Sequence, residues 1–326
     1  MEIKKWKMNF MEYRDLECTV PCSMYSVLLE NKLIDDPFYG ENEQEAEKLS
    51  ENDVEFYTCI DVTCEQLNCE HVILKFYGID TLSDIYINGR FLGKTENMHL
   101  MYTFDVKEYL TDGKNTISIK ISSPIRYVKD IYRRHRLWSS EESTEGIFYI
   151  RKAYYMFGWD WGPKLPDMGI FRNVELECYD GIRLENFIVI QNHCKNSVEL
   201  DIEIETTGAA DGYTYEIEAD GRTIRSELPR LNFVINDPKL WWPNGYGEQN
   251  LYDITVRLFH GGEIADTMTK TIGLRTLDVS TEDDKYGREF CFVVNGVKIF
   301  AMGADYIPED NILPRCSYDR TDRLLR

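Results

Sequence analysis

The sequence predicts an all-β chain, with a small immunoglobulin-like sandwich as its second domain and the opening of a further domain behind it. Two observations carry this. Apolar and polar residues alternate with period two nearly everywhere after residue 54, and two-residue turn signals separate the alternating runs. Ile117, Ile119 and Ile121 alternate with Ser118, Lys120 and Ser122, while Val198, Leu200, Ile202 and Ile204 alternate with Glu199, Asp201, Glu203 and Glu205. Each run reads as a strand with one face toward a core and one toward water. The turns are Asn88-Gly89, Asp220-Gly221, Gly261-Gly262 and Asn295-Gly296, pairs that supply the positive φ of tight hairpins. Helix is expected only ahead of the first strong strand, over 42–52 and over 23–31, and again at the end, where Ser317 is placed to cap a helix running to Arg326.

At 326 residues and 38.3 kDa the chain is long enough for two or three domains. Near Tyr179-Asp180-Gly181 an irregular, aromatic-rich region gives way to regular strands at about ten-residue spacing, which end around Gly273-Leu274-Arg275. The expected domains are therefore 1–180, 181–275 and 276–326. The last is a hairpin strand, a more apolar strand, Pro308, Pro314 and one helix, too little to bury a core alone, so it reads as the beginning of a domain that continues elsewhere.

With 43% hydrophobic and 29% charged residues the composition is that of an ordinary globular chain. The 37 basic against 57 acidic residues leave a net charge of −20, which repels nucleic acid and anionic membrane alike. Neither is expected as a partner. No apolar run has the length of a signal peptide or a membrane span, and the odd count of nine cysteines suits reduced thiols, so a cytoplasmic chain is expected. Cys59, Cys64, Cys69 and His71 have gaps within the range of zinc ligands. The segment alternates like strand, however, and the thiols read as small buried side chains, not as a metal site. No cofactor is expected. The acidic stretch 41–51 reads as a solvated helix face, because it lacks the spaced glycine turn of a calcium loop.

Aromatic residues are densest at Tyr154-Tyr155-Met156-Phe157-Gly158-Trp159-Asp160-Trp161-Gly162-Pro163, where glycine and proline place a loop or bent strand. Indole rings flanking a carboxylate suit a sugar: C–H faces stack on the rings and hydroxyls donate to the carboxylate. A buried aromatic cluster with Asp160 capping a turn fits the same residues.

The stretch from Arg151-Lys152 to Pro163, followed by Gly169-Ile170-Phe171-Arg172, resembles the signature region of the β-mannosidases of glycoside hydrolase family 2. Other stretches agree in order along nearly the whole chain. They are Thr19-Val20-Pro21, Asp36-Pro37-Phe38-Tyr39-Gly40, Gly78-Ile79-Asp80-Thr81, Asn88-Gly89, Asn97-Met98, Trp241-Trp242-Pro243-Asn244-Gly245-Tyr246-Gly247 and Phe292-Val293-Val294-Asn295-Gly296.

The resemblance implies a jelly-roll, galactose-binding-like sandwich, an immunoglobulin-like sandwich, and then the first strand and helix start of a catalytic (β/α)8 barrel. It implies hydrolysis of terminal β-mannosides with retention, by a glutamate acid/base that follows an asparagine and by a glutamate nucleophile, both on later barrel strands. Retention needs two carboxyls about 5 Å apart; the Asn42-Glu43 pair lies in the N-terminal acidic stretch and does not qualify. No catalytic residue is thus expected here. The chain would instead contribute substrate contacts: Asp160 accepting from sugar hydroxyls, Trp159 walling the terminal subsite, Asn97 on a neighbouring loop, and Asp305 with Tyr306 behind the first barrel strand. A turn-forming role fits Asn97 equally well. Asp305 and Tyr306 stand where many of the family show Asn and Trp. Trp241-Trp242-Pro243 reads as structural. The partner implied by the resemblance is a mannoside or oligosaccharide substrate, and a homo-oligomer is left open. The alternative is a non-catalytic carbohydrate-binding module of the same two sandwiches, and behind it a purely structural sandwich protein; the tail after residue 276 favours the enzyme.

Overall fold

The computed structural model describes residues 1–140, 142–159 and 161–326. The chain divides into two compact units, Met1–Asp180 with Asp305–Arg326, and Gly181–Ala304.

The first unit begins with β1 (Lys5–Phe10), β2 (Tyr13–Thr19), β3 (Cys22–Ser23), α1 (Met24–Glu30) and α2 (Asn42–Leu49). It continues through β4 (Val54–Val62), α3 (Cys64–Asn68), β5 (His71–Phe76), β6 (Ser83–Ile87), β7 (Arg90–Thr95), β8 (Tyr102–Asp105) and β9 (Gly113–Ile121). Helix α4 (Pro124–Arg134), β10 (Gly169–Ile170) and β11 (Val174–Tyr179) complete the continuous part. Strands run β2-β1-β4-β9-β6-β7 in one sheet, β11-β5-β8 in a second, and β10 pairs with β3. Alternation puts Trp6, Met8, Phe56, Ile117 and Ile119 of the large sheet into one core with Val72, Leu74, Phe76 and Leu176 of the smaller. Asn88 and Gly89, at φ 51° and 77°, make the β6–β7 turn, as expected from their dipeptide.

The second unit opens with β12 (Leu184–His193), β13 (Ser197–Thr206), β14 (Tyr213–Ala219), β15 (Arg222–Ser226) and β16 (Arg230–Asn236). Then come β17 (Tyr252–His260) and β18 (Glu263–Ile272). Sheets β12-β13-β16 and β15-β14-β17-β18 enclose Phe187, Leu200, Ile202, Ile217, Val256 and Leu258, the seven-strand pattern of an immunoglobulin-like sandwich. Asp220-Gly221 and Gly261-Gly262 turn β14 into β15 and β17 into β18. The pair Trp241-Trp242 packs closely on the surrounding chain. Gly273 and Gly247 are bare because a Cβ would meet Trp241 at 2.7 Å and Trp242 at 2.8 Å, and the Trp241 carbonyl accepts from Asn295 Nδ2 at 3.0 Å.

Behind the sandwich lie β19 (Leu277–Ser280), β20 (Asp283–Asp284), β21 (Gly287–Arg288), β22 (Cys291–Val294) and β23 (Val297–Ile299). Asn295-Gly296 closes the β22–β23 hairpin. Residues 300–308 form no regular element, and Phe290, Phe300 and Met302 are about three-quarters exposed, at 74%, 77% and 75%. The remaining residues return to the first unit, where Ile312 is buried in the core and α5 (Tyr318–Leu325) is capped by the Ser317 hydroxyl.

Two expectations are corrected. Helix is not confined to the residues before β4 and the tail: α3 follows β4, and α4 starts at a Ser123 cap with Pro124 in its first turn, a signal that the surrounding strand periodicity obscured. Nor are the thiols near residue 64 buried in strands. Cys59 faces outward from β4, and Cys64 opens α3 beyond the Thr63 cap, so both are exposed. Among the described residues no group of His, Cys, Asp and Glu could hold a metal, no cysteine is in a disulfide, and no helix is long and apolar enough to cross a membrane.

Candidate functional site: the tryptophan tip

Between Lys152 and Asp167 the chain leaves the sandwich and returns, and the excursion ends in a tip closed by antiparallel bridging of Phe157 with Lys164. Phe157 is fully buried among Ile125 and Val128 of α4 and Ile147 and Ile150, so the base is set in a small core of its own. Gly158 lies at φ 96°, where a Cβ would meet Lys164 Cγ at 2.8 Å and the Glu142 carbonyl at 3.0 Å. Only glycine satisfies both conditions. Trp159 follows at φ 77°, a left-handed backbone that a bulky residue keeps only where its surroundings enforce it.

The surroundings are present. The Lys164 amide donates to Glu43 Oε1 of α2 at 2.8 Å, the Asn311 side-chain amide donates to the Pro163 carbonyl at 2.7 Å, and the Thr144 amide donates to the Phe157 carbonyl at 3.0 Å. On this base Trp159 and Trp161 present half-exposed rings, stacked with centroids 5.5 Å apart and planes 21° from parallel. Asp160, the carboxylate expected between them, lies outside the described residues.

The neck is polar and buried. Lys152 Nζ, wholly shielded from solvent, pairs with the Asp80 carboxylate and donates to the Asp167 carbonyl at 2.7 Å. Asp167 Oδ1 accepts from the Met168 amide at 2.8 Å and from the Tyr25 amide at 3.2 Å, while its Oδ2 is buried without a partner. Burial outweighs these donors, Ser23 and Lys152, and pushes the carboxyl up to about 7. Burial also pushes the Tyr155 hydroxyl up, with Cys316, Asp80, Tyr306 and Asp167 adding in the same direction.

The other expected residues flank this excursion. The 96–101 loop runs beside its start, where the Met98 amide donates to the Arg151 carbonyl at 3.0 Å, and Asn97 Oδ1 accepts from the His99 amide at 2.9 Å in a turn. Asp305 is exposed, and the Tyr306 hydroxyl donates to Glu309. Asp310 is buried between Arg315 and Arg320, at 2.9 and 2.8 Å, which anchors the segment that carries Asn311 to the tip. Among the described residues no hydrogen bond joins Trp159, Asn97, Asp305 and Tyr306 to one another. Lys152, Glu43, Gly158 and Asn311 hold the site together. Of these only Lys152 and Gly158 lie within the aromatic signature; Glu43 and Asn311 are remote in sequence and carry no local signal.

Residues 6–172 match the glycosyl hydrolase 2 galactose-binding domain-like family, and residues 182–275 match glycosyl hydrolases family 2. The chain belongs to glycosyl hydrolase family 2. Within it, the chain is 32% identical to a beta-mannosidase B of Emericella nidulans and 29% identical to one of Aspergillus terreus. The alignments cover 93% and 92% of this chain but 38% and 37% of those proteins, so the chain spans little more than a third of their length. The structure superposes on the beta-D-mannosidase of Dictyoglomus thermophilum with a TM-score of 0.89 at 31% identity, covering all of this chain and 42% of that one. An exo-chitosanase of Amycolatopsis orientalis, 18% identical with a TM-score of 0.73 and covered over 39% of its chain, shares the fold. The tip and its neck therefore lie within the galactose-binding-like part of a family 2 chain that matches the N-terminal portion of a mannosidase.

Proposed function

We propose that this chain is the N-terminal, non-catalytic part of a retaining β-mannosidase and that its tryptophan tip walls the subsite for the terminal mannose. The observation that carries the reading is the tip itself: two stacked, half-exposed indoles on a strained backbone held from three sides. Stacked rings offer a flat apolar face to the C–H side of a pyranose, and desolvating that face contributes to binding without demanding a charge. Asp160 is assigned to accept from sugar hydroxyls, a bond to a charged group worth about 1.5–3 kcal/mol. Asn97, Asp305 and Tyr306 are assigned to the rim. The catalytic glutamates are assigned to a (β/α)8 barrel of which residues 276–326 would be the linker and the start, and the exposed apolar side chains Phe290, Phe300 and Met302 suit packing against such a body.

The test is an assay of the purified chain on an aryl β-mannoside, together with calorimetric titration with mannobiose. No turnover and measurable mannobiose binding that Trp159→Ala abolishes are expected. Turnover that disappears when a glutamate within the chain is changed would overturn the assignment of catalysis, and binding indifferent to Trp159 would overturn that of the tip. We further propose a cytoplasmic protein with reduced thiols. Nine reactive thiols in the denatured, unreduced protein isolated from cells are expected, and a single one would contradict it.

A further inference from the structure

We propose that Lys152 is the positioning residue of the tryptophan tip: its ammonium ties the two ends of the excursion together and thereby fixes how the Trp159–Trp161 stack is presented. The functional value of this rests on the tip being a sugar platform, whereas the geometry does not.

Lys152 immediately precedes the excursion and Asp167 immediately follows it, and the bond from Nζ to the Asp167 carbonyl spans fifteen positions at 2.7 Å. A neutral donor could make that bond. An ammonium in a site with no solvent access is strongly disfavoured unless it is paired, and here the pair is Asp80, itself only 4% exposed. The ion pair thus compensates the burial, and the carbonyl bond sets the width of the neck. Asp80 is not free to follow a moving lysine: its amide donates to the Gly169 carbonyl at 2.9 Å, and the Gly169 amide donates back at 3.0 Å. Gly169 in turn is pressed on β3, where a Cβ would lie 2.4 Å from the Cys22 carbonyl. One wall of the neck is therefore part of the sandwich, and Lys152 transfers that fixity to the other. Next to the neck, Met156 on the outgoing arm and Leu165 on the returning arm are fully buried, so a shift at residue 152 has no slack in which to be absorbed before it reaches the indoles.

Stacked indoles couple their transition dipoles, and the resulting paired bands in the far-ultraviolet circular dichroism depend on the spacing and angle of the rings. A protein that is merely less stable but correctly folded keeps them. The variant Asp80→Asn/Lys152→Met removes both charges of the pair and, studied at about pH 5 where the neighbouring Asp167 carboxyl holds its proton, leaves no unpaired ion in the core. It should unfold cooperatively yet lose about half or more of the band amplitude that Trp161→Phe removes entirely, with mannobiose affinity falling in parallel. Asp80→Asn alone keeps the carbonyl bond and should keep the bands. A cooperatively folded double variant with the unsubstituted amplitude would overturn the proposal. If the double variant does not fold, hydrogen exchange of the unsubstituted chain decides: the Lys164 amide at the tip base should open together with the Met168 amide at the neck, with protection within about tenfold, and a gap of about a hundredfold or more would overturn it. Absence of mannobiose binding by the unsubstituted chain would remove the sugar-platform reading and leave the spectroscopic result standing.

Discussion

The side-chain amide of Asn311 donates to the carbonyl of Pro163 at 2.7 Å, joining positions 148 apart in sequence at the flank of the tryptophan tip. Asn311 is itself buried, and the half-buried Pro163 carbonyl also accepts from the Leu165 amide at 3.1 Å, so Asn311→Ala removes one of its two bonds. The expected cost is about 0.5–1.5 kcal/mol in urea denaturation, with greater acrylamide quenching of tryptophan fluorescence. Unchanged quenching would mean that Glu43 and Thr144 hold the tip without it.

Asp310 should govern whether the C-terminal segment stays docked. Its carboxylate is buried, whereas Arg315 and Arg320 are a third or more exposed and regain water when it is removed. For Asp310→Ala a loss of about 1–3 kcal/mol is expected, below that for an ion left fully buried. Limited proteolysis should then cut near Arg315 and Arg320 sooner than in the unsubstituted chain, and an unaltered cleavage rate would refute the role.

Gly158→Ala combines a left-handed φ of 96° with a Cβ 2.8 Å from the Lys164 side chain and 3.0 Å from a carbonyl. The side chain of Lys164 has room to move; the carbonyl of Glu142 belongs to backbone. A destabilisation of about 1–3 kcal/mol is expected, larger than for Gly113→Ala, where the φ is positive but the space is open. Equal effects at the two glycines would show that crowding plays no part.

Asp167 sets a dependence on pH. Its folded carboxyl titrates at about 7, above the ordinary 3.8, so between these values the folded protein holds a proton that the unfolded chain has released. Stability from this group is therefore greatest in acid and declines as pH rises from about 4 to 7, then levels off. Lys152, Asp80, Ser23, Tyr25, Cys22 and Tyr155 surround the carboxyl, and only Lys152 among them is cationic. Asp167→Asn should remove the decline, so that its melting temperature gains on the unsubstituted chain across that window. Parallel melting curves from pH 4 to 8 would exclude the assignment.

Asp160→Ala tests the carboxylate of the tip. Loss of a charge-assisted bond to a sugar hydroxyl should weaken mannobiose binding by about tenfold or more while leaving the melting temperature within about 2 °C. The reverse pattern, intact binding with lower stability, would make Asp160 a turn-capping residue.

The sandwiches were legible because their signals are local. Alternation in β9 and β13 and the four hairpin dipeptides operate over a few residues, and the structure places them accordingly. The aromatic signature located the tip for the same reason. Its support was not legible. Lys152 meets Asp80 across 72 positions and Lys164 meets Glu43 across 121, and neither pairing leaves a spacing that a sequence can display. Glu43 reads as one acid on a solvated helix face, yet its carboxylate holds a backbone amide of the tip. Helix α4 has a local signal in Ser123-Pro124, but the strand periodicity on either side of it masks that signal.

The first unit is made of two stretches of chain, with residues 181–304 between them. During synthesis this imposes an order. Ile312 and Asn311 leave the ribosome only after the whole immunoglobulin-like unit has been made, a delay of roughly ten seconds at usual elongation rates. Until then the sandwich lacks one core side chain and the tryptophan tip lacks one of its three braces. The later unit can thus finish folding before the earlier one is complete, and a nascent chain halted before residue 305 would carry its indoles on a less firmly held loop.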